Sequence, residues 1–351
     1  MDIKKLTLEE FFFKLQGKIH NYYYLKNRKN QSVTEYFIKY SSYRYSLNHQ
    51  TFNAPTFRNY LTARPNPGAG IGHQMANWIA GYYYAKFFNL QFAHIPFSNE
   101  HHPLKPNQWE YFLGFGEGEL TVKGLKEKGY KEILLPLFDV EDKWQVECIQ
   151  RIVQSYSNKK VVFRCEQDQF LKNLFLAGED LKNKFRSASA RKYDKVQYSK
   201  DKFNIAVHVR RTVVIDGKTI IETPDVRAMR WLSNDYYEKV LKQILETIRP
   251  NKPIAIWLFS TGKAEEFSEF AKYGEVHFCN DMDEYMSFAH LIYADLLVTS
   301  KSSFSYKPAL MNNGIKVCPR NFWHGYPDAQ DWILCENDGT LDVDKLKQIT
   351  I

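Results

Sequence analysis

From residue 60 onward, short apolar runs alternate with segments of helical periodicity, and this alternation restricts the fold more than any other feature. Strands are expected at 61–64, 91–97, 131–137 and 161–166, then at 204–210, 254–260, 275–279, 295–300 and 315–319. Helical patterns fall between them at 73–88, 234–248, 264–273, 283–292 and 303–312. Strands that alternate with helices build parallel sheets with crossover connections. The polar, basic stretch 186–202 interrupts the alternation and divides it into two α/β halves. No internal repeat and no low-complexity tract is present.

Length agrees with two halves, since 351 residues exceed one small domain. Net charge is +8, but residues 1–50 hold nine Lys/Arg against four Asp/Glu. The remainder is close to balanced, which argues against a protein that wraps nucleic acid. Five cysteines (Cys148, Cys165, Cys279, Cys318, Cys335) are scattered without metal-ligand spacing, as expected of free thiols in a reducing compartment. Lys4 and Lys5 run into polar Thr7-Leu8-Glu9-Glu10, and no stretch reaches the length of a membrane span. These features lead to the expectation of a soluble, cytoplasmic protein.

The leading segment reads as a helix over 7–24, with Thr7 and Glu10 as a capping box and Phe11, Phe12, Phe13, Leu15 and Ile19 apolar. Lys14, Lys18, Lys26, Arg28 and Lys29 flank the aromatic cluster. Two readings stand for residues 1–30. One is a helical arm packed on the body with its lysines in water. The other is peripheral contact with an anionic membrane at its inner face.

Chemistry concentrates at three places. The apolar run Phe203-Asn204-Ile205-Ala206-Val207 ends in His208-Val209-Arg210-Arg211-Thr212. Two guanidiniums delivered to a strand's carboxyl end suit an anion, because ligands of open α/β sheets bind there and arginine matches phosphate geometry. Ion pairs with carboxylates around Asp225 and Asp235 are the structural alternative. Upstream, Arg64-Pro65-Asn66-Pro67-Gly68-Ala69-Gly70-Ile71-Gly72-His73-Gln74 follows a strand and opens a long helix. Its glycines read as a structural turn or as a close backbone approach to an anion, and their spacing departs from the dinucleotide fingerprint G-x-G-x-x-G. Downstream, Asp295-Leu296-Leu297-Val298-Thr299-Ser300-Lys301-Ser302-Ser303-Phe304-Ser305 ends a strand in a hydroxyl-rich turn. There Ser302 or Ser303 caps the next helix, binds phosphate, or does both.

Other candidates read as structure. Asp281-Met282-Asp283 has the form of a DxD metal motif but stands directly before a helical run, where acidic residues cap and complement the dipole. His101-His102 lies in a Pro/Asn-rich loop and reads as surface. The stripe Trp78, Tyr82, Ala85 reads as core packing.

In their order along residues 60–320, the elements Gly-x-Gly-His-Gln, His-Val-Arg-Arg-Thr and Ala-Asp-Leu-Leu-Val-x-Ser-x-Ser-Ser-Phe-Ser resemble the GDP-fucose-dependent fucosyltransferase superfamily. That group includes core α1,6-fucosyltransferases, rhizobial nodulation fucosyltransferases and bacterial α1,2-fucosyltransferases. The resemblance implies a GT-B-like fold of two Rossmann-type domains facing a cleft. Residues 1–54 would form an extension, 55–200 the acceptor side and 201–351 the nucleotide-sugar side. It implies an inverting, metal-independent transfer of fucose to a glycan acceptor hydroxyl, in surface-polysaccharide synthesis, with no cofactor. Arg210 would grip the diphosphate, Arg211 would support the geometry or the ligand, His208 would lie near the nucleotide, and Ser302 and Ser303 would contact the β-phosphate. Gly70, Gly72, His73 and Gln74 would belong to the donor site as well. Val213 stands where the family motif carries Asp, so a general base is sought at Asp216 and then at Glu222. The same fold with another nucleotide-sugar is the second reading, and a carbohydrate- or polyanion-binding module is the third.

Overall fold

The computed structural model describes residues 33–49, 55–66, 69–97, 108–166, 171–211, 213–215, 218–220 and 223–349, with Leu15, Lys18, Ile19 and Tyr22 of the leading segment. Those four are helical and exposed, and the rest of the expected helix over 7–24 lies outside the described residues. His101 and His102 lie outside them too. The chain divides into two compact α/β units, one of residues up to 100 with 116–177, the other of 101–115 with 178–351.

The first unit holds a four-stranded parallel sheet built from β1 (Tyr60–Ala63), β2 (Gln91–Phe92), β3 (Lys131–Leu134) and β4 (Val161–Cys165), in the order β2-β1-β4-β3. β2 is shorter than the expected 91–97. After Ala93, whose N–H still donates to the Leu61 carbonyl, the chain leaves β1, and His94 exchanges backbone hydrogen bonds with Leu120 and Val122 instead. Pro96 could not have donated to a longer ladder. The helix Ile71–Phe87 lies close against β1: a Cβ on Gly81 would come within 2.6 Å of the Ala63 Cβ. Trp78 stacks on Tyr82 at 5.1 Å, so the aromatic stripe is packing. The helix Lys143–Ser155 went unrecognised in the periodicity, although Asp142 caps it and Cys148, Ile149 and Ile152 bury one face.

The second unit is a six-stranded parallel sheet of β5 (Phe203–His208), β8 (Ile254–Phe259), β9 (Val276–Phe278), β10 (Leu296–Val298), β11 (Ile315–Pro319) and β12 (Trp332–Cys335). Their order is β12-β11-β10-β5-β8-β9. Read from β9, this is the doubly wound order in which the first strand is central and the winding reverses beside it. All six residues of β5 are buried, as a strand flanked on both sides and covered on both faces requires. β6 (Val213–Ile215) and β7 (Lys218–Ile220) form a separate antiparallel pair after β5. The stretch 186–202, read as a linker, lies within this unit. Its helical and 3₁₀ turns are held by Arg191, whose guanidinium sits 3.6 Å over the Phe185 ring and 3.4 Å from the Asp194 carboxylate. All five cysteines are buried and free of disulfides. Among the described residues no helix is long and apolar enough to cross a membrane.

Candidate functional site

The reversal of winding falls between β5 and β10, and the two chemistry-bearing segments of the second unit end there side by side. The register pairs Val207 with Val298, so the residues after each strand leave the sheet at the same level. At the opposite end the Asp295 carboxylate accepts from the Asn204 backbone N–H at 2.7 Å, which fixes that register. The Val209 N–H continues the ladder to the Phe259 carbonyl at 2.8 Å. The ladder therefore holds the main chain as far as Val209, the residue before Arg210.

His208 is buried, and its Nδ1 lies 2.8 Å from the Ser300 Oγ. Burial, with the neighbouring Arg210 charge, pushes its pKa down from 6.5 to about 3. The imidazole is thus neutral throughout the physiological range. Below about pH 6.5 the unfolded chain takes up a proton that the folded chain refuses, so this residue erodes stability as pH falls from about 6.5 toward about 3. The slope is up to ~1.4 kcal/mol per pH unit. Urea unfolding between pH 6 and 5 is expected to be less pH-dependent in His208→Gln than in the parent chain. Equal slopes would remove this account.

Arg210 is half-buried and points a guanidinium Nη1 at the Ser302 Oγ, 3.4 Å away. Ser302 is the N-cap of the helix Ser303–Met311 and accepts from the Phe304 N–H at 3.2 Å. Its carbonyl also accepts from the Ser305 and Tyr306 N–H groups. Ser305 in turn supports Ser300, whose N–H it accepts at 3.2 Å. The Ser303 N–H, at the first helical position, has no carbonyl one turn earlier within the helix to bond. Cap and anion site coexist here: one guanidinium, a serine hydroxyl and a helix start converge, with Lys301 on the turn between them. Ser300, the direct partner of His208, was not singled out in the sequence. Its signal would have been its place two residues after β10, in register with the end of β5.

Arg211 behaves differently from Arg210. Its Nη1 donates to the Arg210 and Leu232 carbonyls at 2.9 and 3.1 Å, and its Nη2 donates to the Asn234 Oδ1. The guanidinium also lies 5.6 Å from the Trp231 ring centre and 5.4 Å from that of Phe267. Burial lowers its pKa from the ordinary value, opposed by Tyr237, Glu266 and Glu269. Of the two roles open to it, support of the geometry is the one these contacts describe. Asp283 caps the helix Glu284–Tyr293 through the Met286 N–H at 2.8 Å, as the acidic helix start suggested.

The glycine loop belongs to the first unit, at the carboxyl end of β1. Gly70 precedes the helix Ile71–Phe87 with extended backbone, and a Cβ there would meet nothing within 4 Å. The turn is closed by Gln74, whose Nε2 donates to the Ala69 carbonyl at 2.8 Å. Gly72 is buried in the first helical turn, while His73 is exposed. At the end of β4, which pairs with β1 through Cys165 and Ala63, stands Glu166. Burial pushes its carboxyl above the usual range, against the pull of Arg164 at 3.0 Å. Thr212, Asp216 and Glu222 lie outside the described residues, so neither candidate base has a described position.

No family model and no curated protein matches the chain. Similar chain traces occur among solved structures. Fucosyltransferase NodZ from Bradyrhizobium is 12% identical, with 73% of this chain and 93% of that chain covered and a TM-score of 0.43. NodZ alpha-1,6-fucosyltransferase co-crystallized with GDP is 11% identical, with coverages of 81% and 97% and a TM-score of 0.44. POFUT1 in complex with GDP is 12% identical, with coverages of 74% and 98% and a TM-score of 0.42.

Proposed function

We propose that the chain is a glycosyltransferase that moves fucose from GDP-fucose to a hydroxyl of a glycan acceptor, with inversion and without a metal, in surface-polysaccharide synthesis. The observation that carries this reading is the approach of Arg210 to Ser302 across 92 positions of sequence, at the switch point of a doubly wound sheet. It is joined by the order of the three motifs along the chain.

The chemistry follows from the charges. The bond from the sugar's anomeric carbon to the phosphate oxygen breaks with its electron pair leaving on the diphosphate, while the acceptor oxygen bonds to the opposite face and loses its proton. Negative charge grows on the departing phosphate, where the Arg210 guanidinium, the Ser302 hydroxyl and the start of the helix Ser303–Met311 receive it. Asp216, and after it Glu222, are the carboxylates proposed to take the acceptor's proton.

Donor choice is tested by thermal unfolding with GDP-fucose, GDP-mannose, and UDP- and CMP-sugars. GDP-fucose at a hundredfold excess over its Kd is expected to stabilise by ~2.7 kcal/mol. Stabilisation by a UDP- or CMP-sugar alone would replace the fucosyl reading with that of another donor on the same fold. A polyanion-binding module would instead give salt-sensitive binding that Arg210→Ala leaves unchanged.

A further inference from the structure

We propose that Asn234 is a positioning residue for the diphosphate site: it fixes Arg211, and through Arg211 the peptide and guanidinium of Arg210. The proposal rests on the reading of the β5–β10 edge as that site. Asn234 opens the helix Asn234–Thr247, but capping falls to Ser233, whose Oγ accepts from the Tyr236 N–H at 3.2 Å. The Asn234 side chain is spent elsewhere at both ends. Its Oδ1 accepts from Arg211 Nη2. Its Nδ2 donates to the Glu266 carbonyl at 2.7 Å and to the Glu269 Oε1 at 2.5 Å, both on the 3₁₀ segment Ala264–Tyr273 that follows β8. One amide thus ties together the end of β5, a helix start and the segment after the neighbouring strand.

The consequence reaches Arg210 through its carbonyl, which accepts from Arg211 Nη1 at 2.9 Å. Arg210 lies two residues beyond the last residue of β5, where the ladder no longer holds its peptide plane. With Arg211 clamped by Leu232 and Asn234, that plane is held from outside the sheet. A long side chain magnifies any rotation of the peptide that carries it. Small displacements at a site that stabilises developing charge are costly, because donors must lie where the charge appears. Arg211 without Asn234 would keep two carbonyls yet lose its only side-chain acceptor among the described residues.

A double-mutant cycle on the full chain tests this, with GDP and inorganic pyrophosphate as calorimetric probes. Asn234→Ala is expected to weaken both about tenfold. In an Arg210→Ala background the same substitution is expected to change nothing further. A purely structural residue would weaken binding equally in both backgrounds. Glu269→Ala, at a half-buried position, covers the case in which Asn234→Ala does not fold. It is expected to weaken binding about threefold, again only while Arg210 is present. If Arg210→Ala weakens binding but the Asn234 and Glu269 effects are absent or persist without Arg210, the positioning role is overturned and the diphosphate site stands. If the parent chain binds neither probe, the diphosphate reading fails and this inference falls with it.

Discussion

Arg210→Ala is expected to lower the rate of fucosyl transfer by ~10²–10³-fold while leaving the unfolding midpoint almost unchanged. The rate effect follows from what the guanidinium faces. It converges with the Ser302 hydroxyl and the first turn of the helix Ser303–Met311 at the site where leaving-group charge would develop. One donor of that kind is worth ~3–4 kcal/mol in the transition state. Because the charge grows during bond breaking, the loss is expected mainly in kcat, with a smaller rise in KM for the donor. The stability effect follows from where Arg210 stands. Its backbone follows a strand whose ladder, extended by Val209 to Phe259, involves no Arg210 side-chain atom. The half-buried side chain lies beyond the carboxyl end of central β5, outside the core, so its removal opens no core cavity. Arg210→Lys is expected to recover only part of the rate, since one ammonium cannot reproduce the planar fork. Turnover with GDP-fucose and urea unfolding on the same preparations decide the matter. Near-parental turnover in folded Arg210→Ala would end the assignment of Arg210 to the leaving group.

How far such a site can be read from the chain alone differs between neighbouring residues. The apolar run through Val207 and the run through Val298 were both legible, because central parallel strands are buried on both faces and their composition says so. Their adjacency was not, since strand order depends on crossovers that no local window contains. The same limit separates Arg210 from Arg211. As adjacent letters they are equivalent, and only the turn at Leu232 and Asn234, more than twenty residues on, engages one of them in main-chain support. Ser302 was legible as a cap by its place before a helix, whereas Ser300 required knowledge of which strand lies alongside. β12 escaped notice because it closes the sheet after the aromatic loop of Phe322, Trp323 and Tyr326, which blurs the start of its apolar run. Within 186–202, a half-buried Arg191 over the Phe112 and Phe185 rings contributes polarity to the composition but packing to the fold.

The glycines give the second large effect, and it falls at a position the sequence does not advertise. Gly68-x-Gly70-x-Gly72 draws the eye, yet a Cβ on Gly70 would meet open space and its backbone is extended, so Gly70→Ala is expected to cost less than about 1 kcal/mol. Gly314, in the turn before β11, is different. A Cβ there would stand 2.1 Å from the Asp295 carbonyl oxygen, 2.6 Å from its carbon and 2.7 Å from the Ala294 oxygen. All three are backbone atoms, so no rotamer change relieves the overlap. Nor is that carbonyl free to withdraw, for it accepts from the Ile315 N–H at 2.9 Å, while the Asp295 side chain holds the start of β5. Gly314→Ala must therefore part β10 from β11 at their shared end or bend both. The expected loss is ~3 kcal/mol or more, read as a lower urea midpoint with the slope unchanged. β10 carries Ser300 and Ser302 at its other end, so the molecules that remain folded are also expected to bind GDP more weakly. A Gly314→Ala protein as stable as Gly70→Ala would mean that the β10–β11 junction yields where its backbone contacts say it cannot.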